Sequence, residues 1–465
     1  IIDTIFYFME IILKKKISVF LILLLFISNF VFFSYGTSSL TTTNNEPTVY
    51  AKAAVLYDVN TNKILYTKNA YEKMFPASTT KTMTAILTME NCKLTDIVKA
   101  SYYAIHEIPK TYSTGLLVPN EELTIEQLLN LLMIPSANDA AYILAQYIAN
   151  GCSNQYDMSD SLDAKKKFDS DIETFSNMMN TKALELGCKN THFINPNGVH
   201  NENHYSTAYD LCLIGNYALK FPDLANITKK VHYSLSPTSE YSKLYSEPRV
   251  FDNTNYLINK NSYGFYKYAI GLKTGYTDAA GYCIIASAKK DNRTLIAVIL
   301  GSETIKNVTS SREHDCARLF DFGFNKYNYQ TIVNKGSLVS TTKIINGTPK
   351  TRDLKLISKD DLFILVKQDY IIDVNRNIVM KQVLAPIKKG DIVGYLECSV
   401  DGDKYSVDLI ADSDVEPSIF SNIILMIICI IIIIFILYLF KMRKIRKKKA
   451  KFRRKRINKN KLPWW

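Results

Sequence analysis

Ser418–Phe440 is a run of 23 residues without a charge, dominated by isoleucine. Such a run is long enough to cross a bilayer as a helix, whose backbone polar groups are satisfied internally. Cations begin at Lys441, and positive flanks stay on the cytoplasmic side. At the other end, Lys14–Lys16 precede the apolar stretch Ile17–Phe33, and Ser34-Tyr35-Gly36 offers small residues for a cleavage site. With Met9 as the start, this reads as an export signal. The two features together place residues 37–417 outside the membrane. The expectation is a cell-membrane protein with a single-pass C-terminal anchor, an extracytoplasmic body and a basic cytoplasmic tail.

Charge supports that division. The net charge is +13, yet residues 441–465 carry 14 Lys or Arg and no acid, so the body is nearly neutral. A nucleic-acid partner is therefore not expected, and the tail reads as a stop-transfer flank in contact with lipid. Hydrophobic residues make up 47% and charged residues 22%, which excludes a disordered chain. A length of 465 residues calls for two domains. The eight cysteines show no CxxC pair and no regular spacing, so no disulfide framework is expected.

Ala53–Val59 and Lys63–Thr67 are strand-like runs around the turn Asn60-Thr61-Asn62. Helical spacing starts at Ser78. Thr124–Leu132 opens with a capping box, Thr124 three residues before Gln127. Ala140–Ala149 and Phe175–Leu186 read as further helices. Ile270–Leu272, Tyr282–Ala288 and Leu295–Leu300 read as strands, and Arg312–Phe320 as a closing helix. Strands at both ends with helices between predict one mixed sheet covered by a helical subdomain, an α/β (α+β) arrangement. After about residue 326, short strand runs alternate with turns, which predicts a small all-β domain. Gly151–Asp171 is polar and reads as a surface insertion.

Three short motifs carry the chemistry: Ser78-Thr79-Thr80-Lys81, Ser136-Ala137-Asn138 and Lys273-Thr274-Gly275. Ser-x-x-Lys also occurs at Ser287–Lys290 and Ser340–Lys343, so the first motif alone is weak. Ser-x-Asn and Lys-Thr-Gly each occur once. Ser78 stands at a helix start, where developing negative charge is favoured. Lys81 follows one turn later on the same face, and in a dry site its amine can accept the serine proton. Ser136 can relay a proton and Asn138 can hold a substrate amide, although helix capping would account for either residue alone. Lys273 and Thr274 on a strand edge suit a substrate carboxylate, and Gly275 permits close backbone approach.

The three motifs in this order resemble those of penicillin-recognising serine enzymes. Surrounding stretches resemble the low-molecular-weight D-alanyl-D-alanine carboxypeptidases of peptidase family S11: Pro76-Ala77-Ser78, Met179–Ala183, Asn195-Pro196-Asn197-Gly198, His204–Asp210 and Gly271–Thr277 with Ala280-Gly281-Tyr282. Ala385–Asp391 and the run to Val415 resemble the family's C-terminal β-domain. Ala137 stands where the family usually has glycine, and Tyr276 where some relatives have histidine.

The resemblance implies a penicillin-binding/β-lactamase-like serine domain, a small all-β domain and a C-terminal transmembrane helix. Its expected boundaries are signal peptide 1–36, polar linker 37–49, catalytic domain 50–325, β-rich domain 326–411, linker 412–417, transmembrane helix 418–440 and basic tail 441–465. It implies that Ser78 attacks the bond between the two terminal D-alanines of a peptidoglycan stem peptide. Lys81 takes its proton, Ser136 passes one to the leaving D-alanine, and Asn138 positions the substrate. Lys273 and Thr274 bind the terminal carboxylate beside Gly275. Backbone N–H groups of Ser78 and Tyr276 form the oxyanion hole. β-Lactams acylate the same serine, and neither metal nor organic cofactor is implied.

Three other readings compete. A β-lactamase of the class A type would use a Glu with an Asn four residues on, a spacing that Glu173 and Asn177 match. The pattern around them reads instead as a helix with Glu173 on its solvated face. His200 and His204 stand four apart, as in zinc hydrolases, but in a polar turn and without the glutamate of that motif. A non-catalytic anchored wall-binding scaffold would account for the β-domain and anchor but not for the motif set.

Overall fold

A computed structural model describes residues 46–304, 311–368, 374–400 and 402–459. The expected signal peptide, most of the polar linker and the end of the basic tail lie outside the described residues.

The first domain is built on a five-stranded sheet of β1 (Ala53–Asp58), β2 (Lys63–Lys68), β3 (Ala269–Thr277), β4 (Gly281–Lys290) and β5 (Arg293–Ser302), in the order β2-β1-β5-β4-β3. All four pairings are antiparallel. The sheet expected as mixed is therefore a hairpin joined to a three-strand meander, because short turns link strands that neighbour each other in sequence. Along β1, Ala53, Val55 and Tyr57 enter one core while Ala54 and Leu56 enter another. β5 divides the same way, with Ile296, Val298 and Leu300 against Leu295, Ala297 and Ile299. Both faces of the sheet are covered, which is why these strands read as continuous apolar runs.

One face carries helices α1 (Lys81–Asn91), α2 (Ile125–Met133), α3 (Asn138–Ala149), α4 (Leu162–Glu185) and α5 (Ala208–Ala218). The other is covered by α6 (Ser311–Lys326) through Cys316, Leu319, Phe320 and Phe324. At the start of α2 both halves of the expected capping box are present: Gln127 N–H donates to Thr124 Oγ1 at 3.1 Å and Thr124 N–H to Gln127 Oε1 at 2.8 Å. α4 starts at Leu162, earlier than the apolar spacing indicated, so the second half of the expected 151–171 insertion is helix. Its first turns bury only Ala164, Phe168 and Asp171, and that sparse stripe hid the period. Five cysteines are buried, whereas Cys92 and Cys152 face each other with sulfurs 3.1 Å apart.

The second domain is all β. Strands β7 (Leu338–Lys343), β8 (Asp353–Ser358), β10 (Arg376–Met380), β11 (Ile392–Val400) and β12 (Asp403–Ala411) form an antiparallel sheet ordered β7-β8-β12-β11-β10, and β6 (Tyr327–Val333) pairs with β9 (Leu362–Lys367). Residues 412–417, expected as a linker, fold onto this domain. Val415 is fully buried and bonded to Ile387 in both directions, at 3.1 and 2.8 Å. Helix α7 (Ile419–Lys459) follows at once and contains a segment long and apolar enough to cross a membrane.

Candidate active site

Ser78 lies in a single 3₁₀ turn, Ala77–Thr80, that runs straight into α1. The residue before it, Ala77, has φ +48°, a left-handed conformation that alanine adopts only when its surroundings impose it. Two glycines make that packing possible. A Cβ on Gly198 would overlap the Ala77 carbonyl oxygen, and one on Gly275 would fall 2.8 Å from the Ser78 nitrogen. The turn is thus clamped between β3 and the Asn195–Gly198 segment.

Lys81 is fully buried, and its amine meets three oxygens: Ser78 Oγ at 2.9 Å, Asn138 Oδ1 at 2.8 Å and the Asn197 carbonyl at 2.8 Å. Burial, and next the nearby charge of Lys273, hold its pKa well below the usual lysine range, with Asp139 opposing. A neutral amine has two N–H donors and one lone pair. Its donors match the Asn138 and Asn197 oxygens, leaving the lone pair for the Ser78 hydroxyl. This arrangement can deprotonate an alcohol.

The second motif is built around the turn between α2 and α3. Ser136 has φ +66° and is buried, while Asn138 is the first residue of α3. Asn138 is fixed on its far side by the Ser113 carbonyl, which accepts from its Nδ2 at 2.8 Å and its N–H at 3.0 Å. The next residue, Asp139, is buried, and burial raises its pKa against backbone bonds that lower it. Its carboxylate accepts from Gly115, Leu117 and Ala140 N–H and so ties down the 113–117 loop.

The third motif lines the edge strand β3. Lys273 is fully buried, its amine 3.0 Å from the Thr274 carbonyl. Burial, then the Arg312 guanidinium, push its pKa down to about 7. The Thr274 hydroxyl bonds that of Thr254. Tyr276 differs: half exposed, its ring packs on Tyr282 and its hydroxyl meets Asp278 at 3.0 Å, so its side chain leaves the centre.

The sequence reading missed Arg312, treating it only as part of a closing helix. From the first turn of α6 its guanidinium donates to the Gly275 carbonyl and the Thr254 carbonyl, both at 3.3 Å, and to Glu313 at 2.8 Å. No local spacing announces this, because α6 packs on β4 and β5, and its first turn brings Arg312 to Gly275 of β3 only in the folded chain. The Asn197 carbonyl was missed for a related reason: a backbone acceptor leaves no mark on residue type.

The rival residues sit elsewhere. Glu173 is exposed on α4, where it and Asn177 line a cavity with Tyr142, Phe168 and His192. His204 is buried, accepts the Ile194 N–H at Nδ1 and therefore presents Nε2–H to Thr80 Oγ1 at 2.9 Å. His200 pairs with Glu202 at the surface. Among the described residues no three His, Cys, Asp or Glu side chains gather as a metal site. Ser287 is buried within β4 and Ser340 lies in β7, so neither alternative Ser-x-x-Lys joins the centre.

An antiparallel sheet between a helical subdomain and α6, with a serine–lysine centre at its edge, defines a serine peptidase. The family model for D-alanyl-D-alanine carboxypeptidase, peptidase S11, matches residues 40–161 and 168–304, and that for the penicillin-binding protein 5 C-terminal domain matches 327–417. The chain belongs to the D-alanyl-D-alanine carboxypeptidase family. The unmatched gap falls in the first turns of α4. The D-alanyl-D-alanine carboxypeptidase DacF of Bacillus subtilis is 34% identical over 361 residues, covering 76% of this chain and 82% of the relative. Penicillin binding protein 5 of Haemophilus influenzae superposes with a TM-score of 0.62 at 25% identity, over 80% of this chain and all of that one. A mutant of the Streptomyces K15 DD-transpeptidase does so with 0.51 at 30% identity, over 60% and 99%.

Proposed function

We propose that this chain removes the terminal D-alanine from peptidoglycan stem peptides through an acyl-enzyme on Ser78, and that β-lactams acylate the same oxygen. The observation that carries this reading is the Lys81 amine, buried, lowered in pKa and 2.9 Å from the Ser78 hydroxyl. Lys81 accepts the proton as Ser78 attacks the carbonyl between the last two residues. Ser136 passes a proton to the departing D-alanine nitrogen, and Asn138 holds both Lys81 and the substrate amide. N–H groups of Ser78 and Tyr276 receive the developing oxyanion. Lys273 and Thr274 bind the terminal carboxylate beside Gly275, and Arg312 adds a second positive charge at the Gly275 carbonyl. Water then releases the shortened peptide. The exposed position of Glu173 on α4 favours this reading over a β-lactamase.

The proposal includes the setting. Residues 1–36 are an export signal followed by a polar linker to 49. Residues 50–325 form the catalytic unit and 326–411 the β-rich unit, onto which 412–417 fold before the anchor. The apolar run 418–440 holds the enzyme in the cell membrane with its active site outside and the basic tail inside. A helix of sufficient length and apolarity at that end supports the anchor.

The test is D-alanine release from an acylated L-Lys-D-Ala-D-Ala peptide by the purified full chain in detergent, beside Ser78→Ala. Release that falls roughly 10⁴-fold or more in the variant supports both reaction and nucleophile. A folded parent that releases no D-alanine overturns the proposal.

A further inference from the structure

The β-domain carries an exposed aliphatic cluster at the point where the chain leaves it for α7. Ile345 is 61% exposed, Val383 41% and Leu384 54%. The three are held together by backbone: Ile345 N–H donates to the Val383 carbonyl at 2.7 Å, and Ala385 N–H to the Ile345 carbonyl at 3.0 Å. The next residues in the loop grip the chain that enters the helix. Ser418 N–H donates to the Asn346 carbonyl at 2.7 Å, Gly347 bridges Pro417, and Thr348 N–H donates to the Glu416 carbonyl at 2.9 Å. Ile345 therefore lies about one strand spacing, roughly 5 Å, from the residue preceding α7.

This inference rests on the reading of α7 as a membrane anchor. The uncharged residues of the helix run from Ile419 to Phe440, and cations follow from Lys441. At 1.5 Å per residue that run is about as long as the hydrocarbon core is thick, roughly 30 Å. With Lys441 at the inner surface, Ile419 then sits at the outer one. A loop bonded to Ser418 has no room to stand clear of it.

We propose that the Ile345–Val383–Leu384 tip inserts into the outer lipid interface beside the anchor, so that the β-domain rests on the bilayer instead of swinging on a free tether. Scattered exposed apolar residues need no explanation, but three that backbone pairing brings together beside a membrane-entering helix do. Exposed Lys343, Lys350, Arg352, Lys381, Lys388 and Lys389 flank these residues, interspersed with exposed Asp353, Asp391, Asp414 and Glu416. The proposed contact is apolar burial, for which zwitterionic phosphatidylcholine suffices and salt has little effect.

The test uses the full chain with Trp464→Phe and Trp465→Phe, reconstituted in phosphatidylcholine vesicles brominated on their acyl chains. A tryptophan is introduced by Ile345→Trp, by Leu384→Trp, or by Leu338→Trp at the far end of β7, itself 58% exposed and roughly 20 Å away along the strand. Acylation by a labelled penicillin reports folding of each variant. Emission quenched several-fold more at positions 345 and 384 than at 338, unchanged by salt, supports the inference. Equal, weak quenching at all three in protein that resists alkaline extraction overturns it and leaves the anchor standing. Blue-shifted emission at 345 without bromine quenching also overturns it, indicating cover by a second copy. Protein washed off the vesicles by alkali overturns the anchor reading, and this inference with it.

Discussion

The Lys81 amine and the Asn138 side-chain oxygen, 57 residues apart in sequence, lie 2.8 Å from each other in a buried site. Asn138 spends its amide nitrogen on the Ser113 carbonyl, so its oxygen has a fixed direction and the lysine a fixed acceptor. Together with the Asn197 carbonyl this bond orients the amine at Ser78.

Replacing Asn138 should therefore act through Lys81. Asn138→Ala removes an acceptor from a buried amine, a loss of about 1.5–3 kcal/mol, and is expected to lower kcat/KM roughly 10- to 100-fold. Asn138→Asp places an anion beside the amine and stabilises its charged form. The acidic limb of the kcat/KM profile should then move to higher pH, whereas with alanine it should not. Steady-state D-alanine release across pH separates the two.

Lys273 predicts the opposite limb. Its pKa is pushed down to about 7 by burial and by Arg312. The charged form, the one able to bind a carboxylate in the proposed role, dominates below that value and is lost as pH rises through it. In the free enzyme kcat/KM should fall above about pH 7, chiefly through KM. Lys273→Arg keeps its charge throughout this range, so its profile should lack that fall while its maximum is lower. A parent profile that stays flat well into the alkaline range would contradict the assignment.

Gly198 should tolerate no side chain. It holds φ +80°, and an added Cβ would overlap the Ala77 carbonyl, forcing the turn that carries Ser78 to move. Gly198→Ala is expected to cut penicillin acylation by roughly 100-fold or more, because a shift of about 1 Å in a catalytic group has that effect. Gly151 is the comparison, with φ +69° and nothing within 4 Å of its missing Cβ. Gly151→Ala should cost about 1 kcal/mol of stability and leave the acylation rate unchanged.

His204 is a structural bridge that keeps one protonation state. Burial, and then His192 and His200, hold its pKa down to about 3, so it stays neutral at working pH. His204→Leu leaves the Ile194 N–H and the Thr80 hydroxyl without their partner, costing about 2–4 kcal/mol. Thermal unfolding should show the loss, and the pH dependence of the surviving activity around neutrality should keep the parent's shape.

What could be read from the chain alone follows from local geometry. Ser78 and Lys81 share a face because a helical turn spans three to four residues, and Thr124 with Gln127 closes a cap for the same reason. The strands of the sheet were legible as apolar runs, and the order of the three motifs pointed to the family that the comparisons show. Tertiary structure decided everything that depends on which distant surfaces meet. It turned the expected mixed sheet into an antiparallel one, and it carried Asn138 and the Asn197 carbonyl to Lys81. Packing of α6 on β4 and β5 set Arg312 against Gly275, and packing of Val415 on Ile387 left no free linker before α7. Residue type and spacing record what a side chain can do and which neighbours share its turn. Burial, and with it the lowered pKa of Lys81 and Lys273, exists only once the helices and the sheet have excluded water from both amines.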